Sequence, residues 1–167
     1  MSDPSGLPDL GQSARATLMG AAVEAQRLGL ATTEAEHLLL ALAAEPLTPA
    51  GALLAEVGLD HAGTLAALKA ERAHSLRAAG VDPAAAEHLR PTRLPITKAR
   101  WGSTLRDVIN RGAHLARSSG RRDPRAFRQL DLLAGLLDLE YGTVPRALAY
   151  AGIDRERLLS TARGPAS

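Results

Sequence analysis

The sequence has no cysteine and only four aromatic residues among 167: Trp101, Phe127, Tyr141 and Tyr150. Without cysteine there is no disulfide framework, no thiolate nucleophile and no zinc or iron–sulfur site that needs a Cys ligand, as expected of a reducing cytoplasm. The scarcity of rings excludes a core built around aromatic side chains. Apolar residues still make up 46% of the chain, so disorder is excluded too. Alanine and leucine dominate, and both favour helix, so the composition points to packed helices rather than sheets. No run of about 18 apolar residues occurs, which argues against a membrane span. The start, MSDPSGLPDLGQS, lacks the basic and apolar regions of an export signal. A soluble, cytoplasmic chain with no membrane association is expected.

The net charge is only +2, but its distribution is uneven. From Arg100 to Arg128 there are eight arginines (100, 106, 111, 117, 121, 122, 125 and 128) against Asp107 and Asp123. A basic stripe of this kind suits nucleic acid or an acidic protein face, and is also what a solvated helix face looks like.

Helical periodicity organises most of the chain. Ala14, Leu18, Ala21, Ala22, Ala25 and Leu28 recur at spacings of three and four, one stripe of an amphipathic helix ended by Gly29. In TTEAEHLLLAL, Thr33 is placed to cap the next helix, with Glu36 closing a capping box and Leu38, Leu39 and Leu42 facing inward. Thr48-Pro49 pairs a cap with the proline favoured at a first helical position, and Asp60 caps a fourth helix running to about Ala79.

The same order of landmarks then returns. Gly58-Leu59-Asp60 corresponds to Gly152-Ile153-Asp154, and Leu38, Leu39 and Leu42 to Leu132, Leu133 and Leu136, all 94 residues on. Arg15, Ala22, Ala25 and Gly29 correspond to Arg106, Ala113, Ala116 and Gly120, 91 residues on, which places three additional residues within Arg121 to Gln129. The chain therefore reads as two copies of a four-helix unit. The prolines at 83, 91 and 95 mark a connector, with one helical turn predicted from Ala84 to His88. The expected division is a tail at 1–12, a first repeat at 13–79, a connector at 80–96, a second repeat at 97–163 and a tail at 164–167. Each unit alone is close to the size at which a core becomes marginal. The expected fold is thus all-α: two pseudo-twofold-related four-helix repeats packed as one eight-helix domain.

The succession ARATLMGAAVEAQRLGL, EAEHLLLAL and AGALLAEVGLD, followed by LPITKAR and a second copy through LAYAGID, resembles the paired Clp amino-terminal repeats. In Clp unfoldases these form the N-terminal domain of a ring-shaped ATPase that feeds proteins to a protease. The resemblance covers about Ser13 to Arg163. No GxxxxGK[ST] phosphate loop is present, so the expectation is a recognition domain without the motor, standing alone. The resemblance implies a non-enzymatic protein that binds Clp unfoldase, adaptor or substrate proteins and modulates proteolysis. In some relatives the domain takes arginine-phosphorylated proteins, and in some it is the target of cyclic peptide antibiotics. A decoy for such peptides, or a nucleic-acid binder using the Arg-rich second copy, are the alternative readings.

The candidate binding residues are Thr32, Thr33 and Glu36 at the second-helix start, with Arg100 and Trp101 at the start of the second copy. In phosphoarginine-binding relatives the Glu of a Gly-Thr-Glu-His start meets the guanidinium while helix N–H groups hold the phosphate. Here Glu34-Ala35 replaces Gly-Thr, putting a carboxylate where a phosphate would enter, and Leu130-Asp131 stands where the second copy would repeat Glu36-His37. As a plain helix start, Glu36 contributes about 0.5–2 kcal/mol of capping. His37 has no second histidine four residues on, and His61, His74, His88 and His114 are scattered, so no metal site, cofactor or catalytic pair is expected. Trp101, Phe127 and Tyr141 are expected to pack, with a peptide anchor as the functional alternative.

Overall fold

The computed structural model describes residues 10–87, 100–120 and 127–164. The tail at 1–9, most of the connector, arginines 121, 122 and 125, and most of the segment expected to hold the three-residue insertion lie outside the described residues. In chain order the elements are α1 (Gln12–Arg27), β1 (Thr32–Thr33), α2 (Ala35–Ala43), α3 (Pro49–Glu56), α4 (His61–Ala78), α5 (Pro83–Glu87), β2 (Arg100–Trp101), α6 (Ser103–Ser118), α7 (Gln129–Leu137), α8 (Thr143–Tyr150) and α9 (Arg155–Arg163). The fold is all-α. The short α5 is the connector turn, so nine helices are described rather than eight, and α1 to α4 are answered in order by α6 to α9.

Local chemistry sets the boundaries. Thr48 Oγ1 accepts the Gly51 N–H at 3.2 Å with Pro49 at the first position of α3, and Asp60 Oδ1 accepts the Gly63 N–H at 2.8 Å at the start of α4. Asp154 does the same for Arg157 at 3.0 Å in α9. Gly58 and Gly152 follow α3 and α8 at φ of 80° and 71°, a left-handed turn that a Cβ would oppose.

Helices α2 and α7 form the centre. Every residue of α2 is buried except Glu36, and every residue of α7 except Leu130. The two exceptions are 94 positions apart, so each central helix leaves the same place near its start incompletely covered. Leu38, Leu39, Leu40 and Leu42 on one side and Leu132, Leu133, Leu136 and Leu137 on the other fill the core, each worth about 1.5–3 kcal/mol on burial. With so few rings, helices can approach closely. A Cβ at Gly135 of α7 would lie within contact of the Val108 carbonyl and 2.6 Å from the Gly112 nitrogen of α6.

The halves are also joined by polar bonds. Gln129 Nε2 donates to Thr17 Oγ1 at 2.7 Å and to Glu45 Oε2 at 3.0 Å. Arg146 of α8 donates to buried Glu71 of α4 at 2.8 Å. The His74 and Tyr150 rings lie 5.3 Å apart across the same pair of helices.

Candidate functional site

Strand β1 pairs in parallel with β2, Thr32 opposite Arg100 and Thr33 opposite Trp101. Four of the five candidate residues are therefore brought together in one short ribbon joining the two halves. Arg100 is exposed, Thr33 is buried, and Trp101 is half-buried with its ring packed on the core. Arg100 and Trp101, at the start of the second copy, are not part of a helix. These two residues are strand, and α6 begins only after Gly102.

The ribbon alters the expected helix start. The Thr33 carbonyl accepts the Gly102 N–H at 2.9 Å as part of the strand pairing, so Thr33 does not cap α2, and the cap moves one residue on to Glu34. The third helical position is then His37, not Glu36, and His37 Nδ1 accepts the Glu34 N–H at 2.9 Å. In the second half Asp131 Oδ2 accepts the Arg128 N–H at 2.8 Å. His37 and Asp131, which occupy matching positions, thus do one job: each returns from the third helical position to the N-cap amide.

The Glu34 side chain also reaches the start of another helix. Its Oε2 accepts the Thr104 N–H at 3.1 Å in the first turn of α6, and it also accepts the Thr104 hydroxyl. Thr104 Oγ1 in turn accepts the Ala35 N–H at 3.0 Å. The N-termini of α2 and α6 are therefore clasped together, a side chain from each occupying the free amides of the other. A Cβ at Gly102 would meet the Glu34 carboxylate, so glycine here leaves that side chain its place on Thr104. Neither Glu34 nor Thr104 was foreseen as a pair, since no helical or strand spacing relates residues this far apart.

Glu36 lies in the first turn of α2, half-buried, with no ion pair and no hydrogen-bond partner beyond its own backbone N–H among the described residues. Burial pushes its carboxyl above the usual range. The helix's own N–H at Glu36 partly opposes this, and the charges of Glu34 and Glu71 add to it. His37 is almost fully buried, and burial pushes its imidazole below the usual value, against the pull of Glu34 and Glu24. The carboxylates leave the α2 start electronegative: among the described residues neither Glu34 nor Glu36 has a cation, and Glu34 is held by Thr104 whereas Glu36 is not.

Other candidates separate. Phe127 is in the core, as expected, whereas Tyr141 is 84% exposed in the turn before α8, outside the core. Its matching position in the first half is Leu47, 99% exposed. Arg111 is removed from the basic stripe by ion pairs to Asp107 at 3.1 Å and Asp138 at 3.0 Å. Among the described residues no three His, Asp or Glu side chains could hold a metal ion, and no helix is long and apolar enough to cross a membrane.

No family model and no curated protein matches the sequence. Solved structures do match. The N-terminal domain of the caseinolytic protease associated chaperone ClpD from Arabidopsis thaliana superposes with a TM-score of 0.62 at 19% identity, covering 92% of each chain. The fold is that of a Clp amino-terminal domain. At this identity the likeness establishes the architecture alone, an all-α Clp-N-like domain. The residues at the joint have to be read from this chain alone.

Proposed function

We propose that this Clp-N-like chain is a binding domain for other proteins, with no chemistry of its own, and that its partners are Clp unfoldase, adaptor or substrate proteins. The division into two repeats, at 13–79 and 97–163 with a connector between them, is part of the same reading. The observation that carries it is the assembly of Thr32, Thr33, Arg100 and Trp101 in one ribbon, running straight into the uncompensated carboxylate of Glu36. A partly exposed ring beside an exposed guanidinium offers a peptide anchor, and a half-buried carboxylate without a cation favours a basic side chain from the partner. The N-terminal domain of a protease-associated chaperone as structural neighbour agrees with this reading.

Phosphoarginine is the less favoured ligand, because the Glu34 carboxylate already occupies the Thr104 amide at the α6 start. A phosphate there would have to displace a like charge.

The test is capture of a purified Clp ring, of adaptors and of an arginine-containing peptide array on the immobilised chain, alongside calorimetry with free phosphoarginine. The reading predicts capture that is lost in Trp101→Ala and Glu36→Arg while both variants keep their unfolding transition. Capture that is equal in both variants, or absent with the wild type, sinks it. Heat with phosphoarginine that Glu36→Ala removes would put the modified residue in place of the plain one.

A further inference from the structure

We propose that the joint between the two halves is an acid-sensitive clasp, and that His37 is its trigger.

Because Nδ1 of His37 accepts the Glu34 N–H, it carries no proton. The proton of the neutral ring is then on Nε2, which is buried with no hydrogen-bond partner. An imidazolium has two donors and needs two acceptors. Here one nitrogen already faces a donor and the other faces nothing. The ring can take up a proton at Nδ1 only by leaving this position, which frees the Glu34 amide and loosens the first turn of α2.

That turn carries the clasp. The Ala35 N–H rests on Thr104, and the Glu34 carboxylate rests on the amide and hydroxyl of Thr104. Opening at His37 is therefore passed to the start of α6, and through the Gly102 to Thr33 bond to the ribbon.

The charges that act on the ring are Glu34, ahead of α2, and Glu24 on α1. Both favour the cation. Glu24 is already engaged by Arg27 at 3.1 Å, with His61 Nε2 of α4 3.2 Å away, and Glu71 of α4 is engaged by Arg146 of α8. Among the described residues, α3, α6 and α7 bring no charge that acts on the ring. The second half has no such trigger, because Asp131 holds the Arg128 amide in place of an imidazole. A carboxylate has no second ring nitrogen left facing an apolar wall, so the imidazole's conflict does not arise there.

This inference does not depend on what the ribbon binds. Its test is amide exchange by NMR on the whole chain between about pH 7.5 and 5, corrected for the intrinsic pH dependence of exchange. Opening at Glu34, Ala35 and Thr104 is expected to rise by up to about tenfold per pH unit below about 6.5, one proton being taken up. The Arg128 amide is the internal control and is expected to stay level. His37→Asn keeps an acceptor that does not titrate, and is expected to flatten the profile.

The proposal is overturned if Glu34, Ala35 and Thr104 follow the same course as Arg128, or if His37→Asn keeps the wild-type slope. Should that variant not fold, the nitrogen shifts of the wild-type imidazole decide. An unprotonated Nδ1 at neutral pH supports the clasp, and a protonated one in the native state overturns it.

Discussion

The carboxylate of Glu34 accepts the backbone N–H of Thr104, 70 residues further along the chain, while the Thr104 hydroxyl accepts the amide next to Glu34. Two helix starts, one from each half, thereby satisfy each other. The matching positions in the pseudo-twofold are Arg128 and Ser13, and among the described residues no bond joins them. The fold repeats, but the clasp is built once. Symmetric packing thus supplies the scaffold, and an asymmetric joint marks the face on which the candidate residues collect.

If the clasp holds the halves together, removing either member destabilises the chain, and removing both costs less than the sum. Glu34→Ala is expected to lose about 0.5–2 kcal/mol, the usual worth of a helix cap. Thr104→Val is expected to lose about 1–3 kcal/mol because the Ala35 amide is left without its acceptor. Urea midpoints of the single and double variants should show a coupling of at least about 0.5 kcal/mol. Strict additivity would mean that the two side chains act independently.

The close approach of α6 and α7 makes a second prediction with an inverted sign. Alanine for glycine inside a helix ordinarily gains about 0.5–1 kcal/mol. At Gly20 the new methyl would meet only the Ala41 Cβ at an ordinary 3.5 Å, so Gly20→Ala is expected to stabilise by that amount. At Gly135 it would be driven into the Val108 carbonyl and the Gly112 backbone. Gly135→Ala is expected to lose about 1–3 kcal/mol from overpacking. Thermal unfolding of the pair should move in opposite directions.

Most of the architecture could be read from the sequence because it is written in local signals. The 3.6-residue stripes, the caps at Thr48, Asp60 and Asp154, and the glycines after α3 and α8 all act within a few residues. The 94-residue recurrence of the leucines likewise announced two matching central helices. What could not be read depends on tertiary pairing. Thr33 looked like a cap because its side chain suits one, but its carbonyl is drawn into the ribbon by Gly102, and this shifts the helix start by one residue. The same shift transferred the returning bond from Glu36 to His37. Tyr141 carries no local sign of exposure, since a single ring in a turn is as compatible with a core as with solvent. The gathering of Thr32, Thr33, Arg100 and Trp101 has no local signal, and its physical basis is the strand register.

Across the other contact between halves, buried Glu71 relies on Arg146 and on Ser75, whose hydroxyl donates to it at 2.5 Å. Burial pushes the Glu71 carboxyl up, but the bonds from Ser75 and Arg146 and the arginine's charge hold it below the usual range. A carboxyl lowered in the fold adds stability above its unfolded pKa, and that stability is lost as pH falls through the folded value. Arg146→Met is therefore expected to cost stability at neutral pH, toward the lower part of about 1–3 kcal/mol because the arginine is more than half exposed. The difference from wild type should close in acid, once Glu71 is protonated in both. A cost that is the same at all pH values would point to lost packing of the arginine stem instead.

Glu36 gives the prediction that bears most directly on function. Its carboxyl is raised in the fold, chiefly by burial, so over the interval between its unfolded and folded pKa the native state holds more protons than the unfolded chain. Stability from this group is present at low pH and lost as pH rises through the folded value. Glu36→Gln should therefore be more stable than wild type at neutral pH, with the gain vanishing as pH falls through the ordinary carboxylate range. If Glu36 were only a helix-start carboxylate, the sign would reverse, because its favourable interaction with the helix dipole, about 0.3–1 kcal/mol, would be lost. Denaturant unfolding at a series of pH values separates the two. The gain in stability, paired with weaker capture of basic partners by the same variant, is the pattern of a charge retained for binding at the expense of the fold.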